Sequence, residues 1–392
     1  VVVEGVARKL NPDTNIWTTS KPVLENWLKE TKDAIQEKYS SHLYSEGINS
    51  TNHIEITPPK YDPEAPKVDG RIILRDNFDK LLNNDDRLII FGEDSGKIGG
   101  VNQGLEGLQD KYGKIRVADT GIREATIIGQ GIGMAIRGLK PIAEIQYLDY
   151  ILFCIQIISD DLATLSYRTK GRQLAPLIIR TRGHRLEGIW HSGSPMAGLI
   201  HLIRGIQLLV PRNMTQAAGF YNTLLKANQP AIVIEPLNGY RIKEILPSNL
   251  GEYSFPIGKV EILKKGTDVT LISYGSTLNI AHEVAKKLEL YNISVEVIDV
   301  QTLIPFDKEK EIRQSIIKTN RLLIVDEDMP GGASAYILQQ LLDEQKIYPL
   351  LDSQPKLLTA KEHRPAYAED GDYFSKPSSE DIFECVYEIM HE

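Results

Sequence analysis

The hydrophobic and polar positions divide the chain into a short helical arm, an extended run, and two series of alternating strands and helices. Between Pro22 and about Tyr39, the apolar Leu24, Trp27, Leu28, Ala34 and Ile35 recur at helical spacing among Lys and Glu. Ser20-Lys21-Pro22 before them is a helix-start signal, so a helix is predicted there. Pro58, Pro59, Pro63 and Pro66 put four prolines into nine residues and predict an extended linker. From Lys67 the period changes. Arg87–Phe91, Pro141–Tyr147, Pro176–Arg180, Ile206–Val210 and Ala231–Glu235 read as short buried strands, with helices at Ile122–Gly138, Tyr150–Arg168 and Thr215–Ala227. Leu237–Pro256, rich in Gly, Pro, Asn and Ser, interrupts the rhythm. Strands at Val269–Tyr274, Ser294–Ile298 and Arg321–Val325 then alternate with helices at Ser276–Leu290, Lys308–Lys318 and Ala333–Gln345. This pattern predicts an α/β fold: two stacked parallel-sheet α/β domains, residues 68–250 and 258–392, after an N-terminal helical arm and Pro-rich linker over residues 1–67.

Composition narrows the function. A formal charge of 45 − 53 = −8 argues against binding a phosphate backbone, so no nucleic-acid partner is expected. Cys154 and Cys385 are the only cysteines and have no metal-ligand spacing, so neither a disulfide scaffold nor a zinc site is expected. No apolar run approaches the roughly 20 residues of a membrane span. The start, Val1-Val2-Val3-Glu4-Gly5, has no basic region of the export type, and a reducing, cytoplasmic setting is expected. It also lacks a Met, so the chain is expected to be processed or to be part of a longer one.

Three segments carry candidate chemistry. Asp119-Thr120-Gly121-Ile122-Arg123-Glu124 is followed by Gly129, Gly131, Gly133 and Gly138. These glycines lie inside a helix and miss the dinucleotide fingerprint, so close packing by another helix is the better reading. Glu124 is an acid in the first turn of an otherwise apolar helix, where favourable interaction with the helix dipole alone could account for it. Gln146-Tyr147-Leu148-Asp149-Tyr150 ends a predicted buried strand with polar and aromatic side chains, where parallel sheets place ligands. Arg180 to Pro195 reads as a polar, glycine-rich functional loop containing His184 and His191.

Together these segments resemble the pyrimidine-binding and C-terminal domains of thiamine-diphosphate enzymes of the transketolase type. They are most similar to the β subunit of the E1 component of 2-oxo-acid dehydrogenases. The resemblance runs from about Ile72 to the end. It rests on Gly92-Glu93-Asp94, Asp119–Glu124, Ala143–Tyr150, Trp190-His191-Ser192, Val210-Pro211-Arg212, Asp299–Asp307 and Gly331-Gly332-Ala333-Ser334, in the family's order. The block Ala143-Glu144-Ile145-Gln146 with Asp149-Tyr150 is most similar to the branched-chain members.

The resemblance implies specific roles. Glu124 matches the glutamate that shares a proton with the cofactor's aminopyrimidine, and Tyr150 the aromatic that packs on that ring. Gln146 matches a residue lining the substrate pocket, Glu93 an acid near the cofactor, and His191 the histidine that moves protons and engages the lipoyl acceptor. The family's diphosphate motif, which holds Mg²⁺, has no counterpart here. The chain is therefore expected to complete its site with an E1 α-type half, either a separate chain or an upstream region. A homodimer or heterotetramer, a small 2-oxo acid substrate and the lipoyl and subunit-binding domains of E2 are the other expected partners. Ala227-Asn228-Gln229-Pro230 departs from the family's potassium-binding loop, so that ion is not claimed. Two rival readings are a transketolase-like ketol transferase, against which Ala125 stands where those enzymes usually carry a histidine, and a non-catalytic half that docks E2.

Overall fold

The computed structural model describes residues 9, 11, 13, 15–38, 42–45, 47, 48, 50–183, 195–363 and 374–391. The chain divides into two compact units, Val1–Leu43 and Tyr44–Glu392. The first holds helix α1 (Ile16–Lys38). It starts at Ile16 rather than Pro22 because Asn15 Oδ1 accepts the N–H groups of Trp17 at 3.0 Å and Thr18 at 3.3 Å.

The larger unit opens with an extended segment. Lys60 N–H donates to Asn249 Oδ1 at 2.8 Å, and Ser254 N–H to the Thr57 carbonyl at 2.8 Å. In chain order follow β1 (Lys67–Asp69), α2 (Gly70–Asn84), β2 (Leu88–Gly92), β3 (Val117–Asp119), α3 (Glu124–Ile136) and β4 (Lys140–Glu144). Next come β5 (Ile178–Gly183), β6 (Gln207–Leu209), α4 (Met214–Lys226), β7 (Ala231–Pro236) and β8 (Lys243–Ile245). The second series comprises β9 (Glu261–Lys264), β10 (Val269–Ser273), α5 (Thr277–Leu288), β11 (Val295–Asp299), β12 (Thr302–Ile304) and α6 (Glu311–Thr319). It ends with β13 (Leu322–Val325), α7 (Ala333–Gln339), β14 (Lys356–Leu358) and α8 (Ser379–His391).

A seven-stranded sheet has the order β12-β6-β7-β5-β4-β2-β3, and a five-stranded sheet the order β14-β13-β10-β11-β9. Both are parallel except at one edge, where β12 and β9 run antiparallel to their neighbours. Helices cover both faces, so β4, β5, β7, β10, β11 and β13 are buried along nearly their whole length rather than at alternate positions. One apolar layer runs from Ile127, Ile179 and Ile232 to Ile272, Ile298 and Ile337, and so spans both sheets. β1 and β8 form a separate antiparallel pair. No helix among the described residues is long and apolar enough to cross a membrane.

Three expectations change. The predicted helix Tyr150–Arg168 is instead a 3₁₀ turn at Leu148–Phe153, a π turn at Ile157–Leu162 and a short α turn at Leu165–Arg168. Ile151, Cys154, Ile158, Leu162 and Leu165 still form one buried stripe. Hydrophobic spacing sets which side is buried but not which carbonyl each N–H selects, and the β-branched Ile151, Ile155, Ile157 and Ile158 weaken the regular α form. Likewise α7 ends at Gln339, and a π turn carries the chain on through Gln340–Glu344. The third change is Arg180–Gly183, expected in a polar loop but found as the buried end of β5, because its charges are neutralised within the fold.

Candidate functional site

Three adjacent parallel strands, β4, β2 and β3, end together at one edge of the seven-stranded sheet. Glu93 and Asp94 leave β2 in a turn where Asp94 is left-handed (φ 57°), held by Gly100 N–H donating to the Asp94 carbonyl at 2.7 Å. Gly92 is required before them, since a Cβ there would lie 2.6 Å from the Glu144 carbonyl oxygen. At the end of β3, Asp119 accepts the N–H groups of Gly96 at 2.7 Å and Lys97 at 3.0 Å, which locks the two loops together. Five residues later the chain turns into α3, whose first residue is the half-buried Glu124.

Beyond β4, Gln146 Nε2 donates to Asp94 Oδ2 at 3.1 Å. The 3₁₀ turn then presents Tyr150, half-buried and edge-on to Tyr147 with ring centroids 5.7 Å apart. These groups share one electrostatic neighbourhood. Burial, then Asp94 and Glu124, push the Glu93 carboxyl above its ordinary value. The Tyr150 hydroxyl is pushed up by burial and by Asp149, Tyr147, Glu93 and Glu124. The buried Cys154 thiol is pushed up to about 12, by burial first and Glu124 second. The structure thus brings Glu93, Glu124, Gln146 and Tyr150 together. His191 lies outside the described residues.

Behind this edge lies a buried charge network. Arg180 and Arg182, two apart on β5, point to the same face. Arg180 binds Glu144, and binds Glu235 through Nε at 2.8 Å and Nη2 at 3.1 Å. Arg182 donates to Glu144 Oε1 at 2.8 Å, the Tyr240 hydroxyl at 3.1 Å and the Gln146 carbonyl at 2.8 Å. Burial alone would raise the Glu144 carboxyl, but Arg182 and Arg180 outweigh it and hold it below the ordinary range. Sequence reasoning missed this network and Asp94's bond to Gln146. The i, i+2 arginines beside a strand's acidic last residue were the available signal.

A cleft of about 410 Å³ lies on the flank of α3, lined by Ile89, Phe91, Asp119, Arg123, Gln130 and Met134 among others. It includes none of the four residues above.

Residues 66–243 match the transketolase pyrimidine-binding domain family, and residues 258–382 the transketolase C-terminal domain family. The β subunit of the pyruvate dehydrogenase E1 component of Acholeplasma laidlawii is 34% identical over 275 residues, 70% of this chain and 83% of the relative. The 2-oxoisovalerate dehydrogenase β subunit of Bacillus subtilis is 31% identical over 271 residues, 69% of this chain and 82% of the relative. Among solved structures, a split-gene transketolase described as an inactive β4 tetramer superposes with a TM-score of 0.65 at 18% identity, over 83% of this chain and 99% of that one. That last likeness concerns the fold alone. The two domain matches in sequence order, supported by these relatives, establish that the chain belongs to the family of E1-component β subunits of 2-oxo-acid dehydrogenases.

Proposed function

We propose that this chain supplies the pyrimidine-binding half of a thiamine diphosphate site, in an E1 that decarboxylates a 2-oxo acid and passes the acyl group to a lipoyl domain of E2. The observation that carries the reading is the convergence of Glu93, Glu124 and Tyr150 at the carboxyl edge of β4, β2 and β3. Two carboxyl groups beside an aromatic face suit an aminopyrimidine: the ring packs on Tyr150, and a carboxyl shares a proton with a ring nitrogen. Glu93, pushed up by burial and by Glu124, retains its proton to higher pH than an exposed glutamate, which fits a site built for proton sharing.

When bound, the cofactor would supply a nucleophilic carbon that adds to the keto group and a cationic ring that draws in the electron pair left on the substrate carbon by loss of CO₂. The chain's own residues do the rest. Glu124 holds the shared proton at the ring nitrogen, and Tyr150 orients the ring. Gln146, fixed by Asp94, borders the space for the 2-oxo acid. Glu93, raised by burial and by the neighbouring Asp94 and Glu124 carboxylates, is the second acid beside the ring. His191 is assigned proton transfer and acceptor engagement from its sequence motif.

The Mg²⁺-holding diphosphate half is assigned to an E1 α-type partner or upstream region, in line with relatives named as β subunits. Gly129 and Gly133 face outward on α3 with nothing near them, and this face is assigned to a subunit contact, within a homodimer or heterotetramer. The domain limits 68–250 and 258–392 are retained for this reading.

The test mixes the chain with its diphosphate-binding half, thiamine diphosphate, Mg²⁺, a lipoyl domain and either pyruvate or a branched-chain 2-oxo acid. Reductive acylation of the lipoyl group is expected. Ketol exchange between sugar phosphates without acylation would replace this reading with the transketolase one.

A further inference from the structure

We infer that Arg182 is a positioning residue, which sets where Gln146 and Tyr150 stand by holding the backbone where the chain leaves β4. The inference deepens the proposed function and rests on it. The strand register supplies the geometry. Glu144, the last residue of β4, pairs with Arg180, and Ile145 N–H still bonds the Arg180 carbonyl at 2.9 Å. Arg182 lies two residues further along β5, paired with Glu235 on the other side, where β4 no longer runs beside it. Its guanidinium therefore reaches over the end of β4, and Nη1 meets the Gln146 carbonyl at 2.8 Å.

Charge balance alone does not require that bond. Arg180 already engages both Glu144 and Glu235, whereas Arg182 divides its planar fork among one carboxylate, one hydroxyl and one main-chain carbonyl. The contact closes a circuit. Gln146 binds the Asp94 carboxylate, Gly100 N–H binds the Asp94 carbonyl, and a Cβ on Gly100 would lie 3.3 Å from Arg182 Nη2. The turn carrying Tyr150 starts next, with Tyr150 N–H on the Tyr147 carbonyl at 3.1 Å, and is anchored beyond by the fully buried Leu148 and Ile151. Arg182 is thus the polar anchor of Gln146, between the buried Ile145 and Leu148.

Arg182→Lys keeps the charge beside Glu144, but its single nitrogen cannot span the acceptors that Nε, Nη1 and Nη2 reach separately. In the complex with the diphosphate-binding half, half-saturation by thiamine diphosphate is expected to rise about tenfold, the scale of one lost bond from a charged donor. Turnover at saturating cofactor should change by less than about threefold, since the proton-sharing carboxylate is untouched. Amide hydrogen exchange should quicken at residues 147–150 and stay unchanged in α5. Arg180→Lys, which does not touch Gln146, should lower overall stability without that selective change. Wild-type half-saturation and exchange in Arg182→Lys, or the same selective pattern in Arg180→Lys, would overturn the inference. Should Arg182→Lys not fold, Tyr240→Phe removes the hydroxyl that accepts Arg182 Nε at 3.1 Å and Arg180 Nη2 at 3.3 Å and that donates to Glu235. About a threefold shift in the same direction, absent from Arg180→Lys, is expected, and no shift, or an equal one in Arg180→Lys, would overturn the inference. The exchange measurement needs no cofactor. A wild-type complex that binds no thiamine diphosphate would therefore refute the functional reading, while exchange still decides whether Arg182 holds the turn.

Discussion

Arg212 Nη1 donates to Asp299 Oδ2 at 2.6 Å, which ties the loop after β6 to the end of β11 and thereby one sheet to the other. Asp299 also accepts Gln301 N–H at 2.9 Å and Gln216 Nε2 at 3.3 Å, while Glu261 shares the same Arg212 nitrogen at 2.6 Å. Val210 N–H meets the Gln301 carbonyl at 2.9 Å, and β12 pairs with β6 beside it.

Burial nevertheless raises the Asp299 carboxyl to about 6, with Arg212, Gln301 and Gln216 opposing the rise. The folded state therefore holds this proton more tightly than the unfolded state, where the value is near 3.8. Its contribution to stability is full below about pH 4 and is lost as pH rises through about 6. Asp299→Asn lacks this titration. The wild-type minus variant difference in unfolding free energy should fall between about pH 4 and 7 and then level off. Denaturation series at several pH values, showing a flat or rising difference, would contradict the assignment.

The seam also shows what was legible in the sequence. Val210-Pro211-Arg212 and Asp299–Asp307 stood out as separate motifs, and the structure shows that they are two halves of one contact. Glu124, Gln146 and Tyr150 could be found because each follows a clear strand or opens a clear helix. Their convergence depends on strand order, β4-β2-β3, which no local pattern encodes. Arg180 and Arg182 misled because charge normally marks a surface. Glu144 on the neighbouring strand and the distant Glu235 and Tyr240 together make their burial possible.

Glu235 should be the most costly acid to remove. It accepts Arg180 Nε and Nη2 and the Tyr221 hydroxyl at 2.7 Å, and it is fully buried. Glu235→Gln leaves two arginines against Glu144 alone, and the loss on urea denaturation should be about 3–5 kcal/mol, the scale for breaking a buried pair. Glu261→Gln breaks a bond to Arg212 made by a side chain 40% exposed, and should cost less than about 1 kcal/mol. Equal losses would show that burial is not what sets the difference.

The helix glycines should separate by side. A Cβ on Gly131 would lie 2.7 Å from Leu177 Cδ1, inside the core, whereas Gly129 and Gly133 have nothing within 4 Å. Alanine gains up to about 1 kcal/mol over glycine in a helix, and overpacking costs about 1–3 kcal/mol. In the isolated chain, Gly131→Ala should therefore lower the melting temperature, and Gly129→Ala and Gly133→Ala should raise it. Weaker association with the diphosphate-binding half in the two outward variants would support a subunit contact on that face. Undiminished association would remove α3 from the interface.

Glu124→Gln distinguishes a proton-sharing acid from an acid that merely suits a helix start. Glu124 occupies the first turn of α3, where a negative charge is favourable by about 0.3–1 kcal/mol, so the amide should cost the fold only that much. The proposed role predicts a far larger effect on chemistry. The amide can donate a hydrogen bond but cannot transfer a proton to and from a ring nitrogen, and exchange of the cofactor's reactive C–H proton should slow by at least about 10²-fold in the reconstituted complex, the scale of lost acid–base catalysis. His191→Ala, assigned to later proton transfer and acyl delivery, should leave that exchange intact and reduce overall turnover. Tyr150→Phe keeps the aromatic face and removes the hydroxyl that Glu93 and Glu124 help to push up, so exchange should stay within about threefold of wild type. Proton exchange followed by NMR on folded variants reads all three. Normal exchange in Glu124→Gln would leave the carboxyl a helix-start residue and move the proton-sharing role to Glu93, the other carboxyl beside Tyr150.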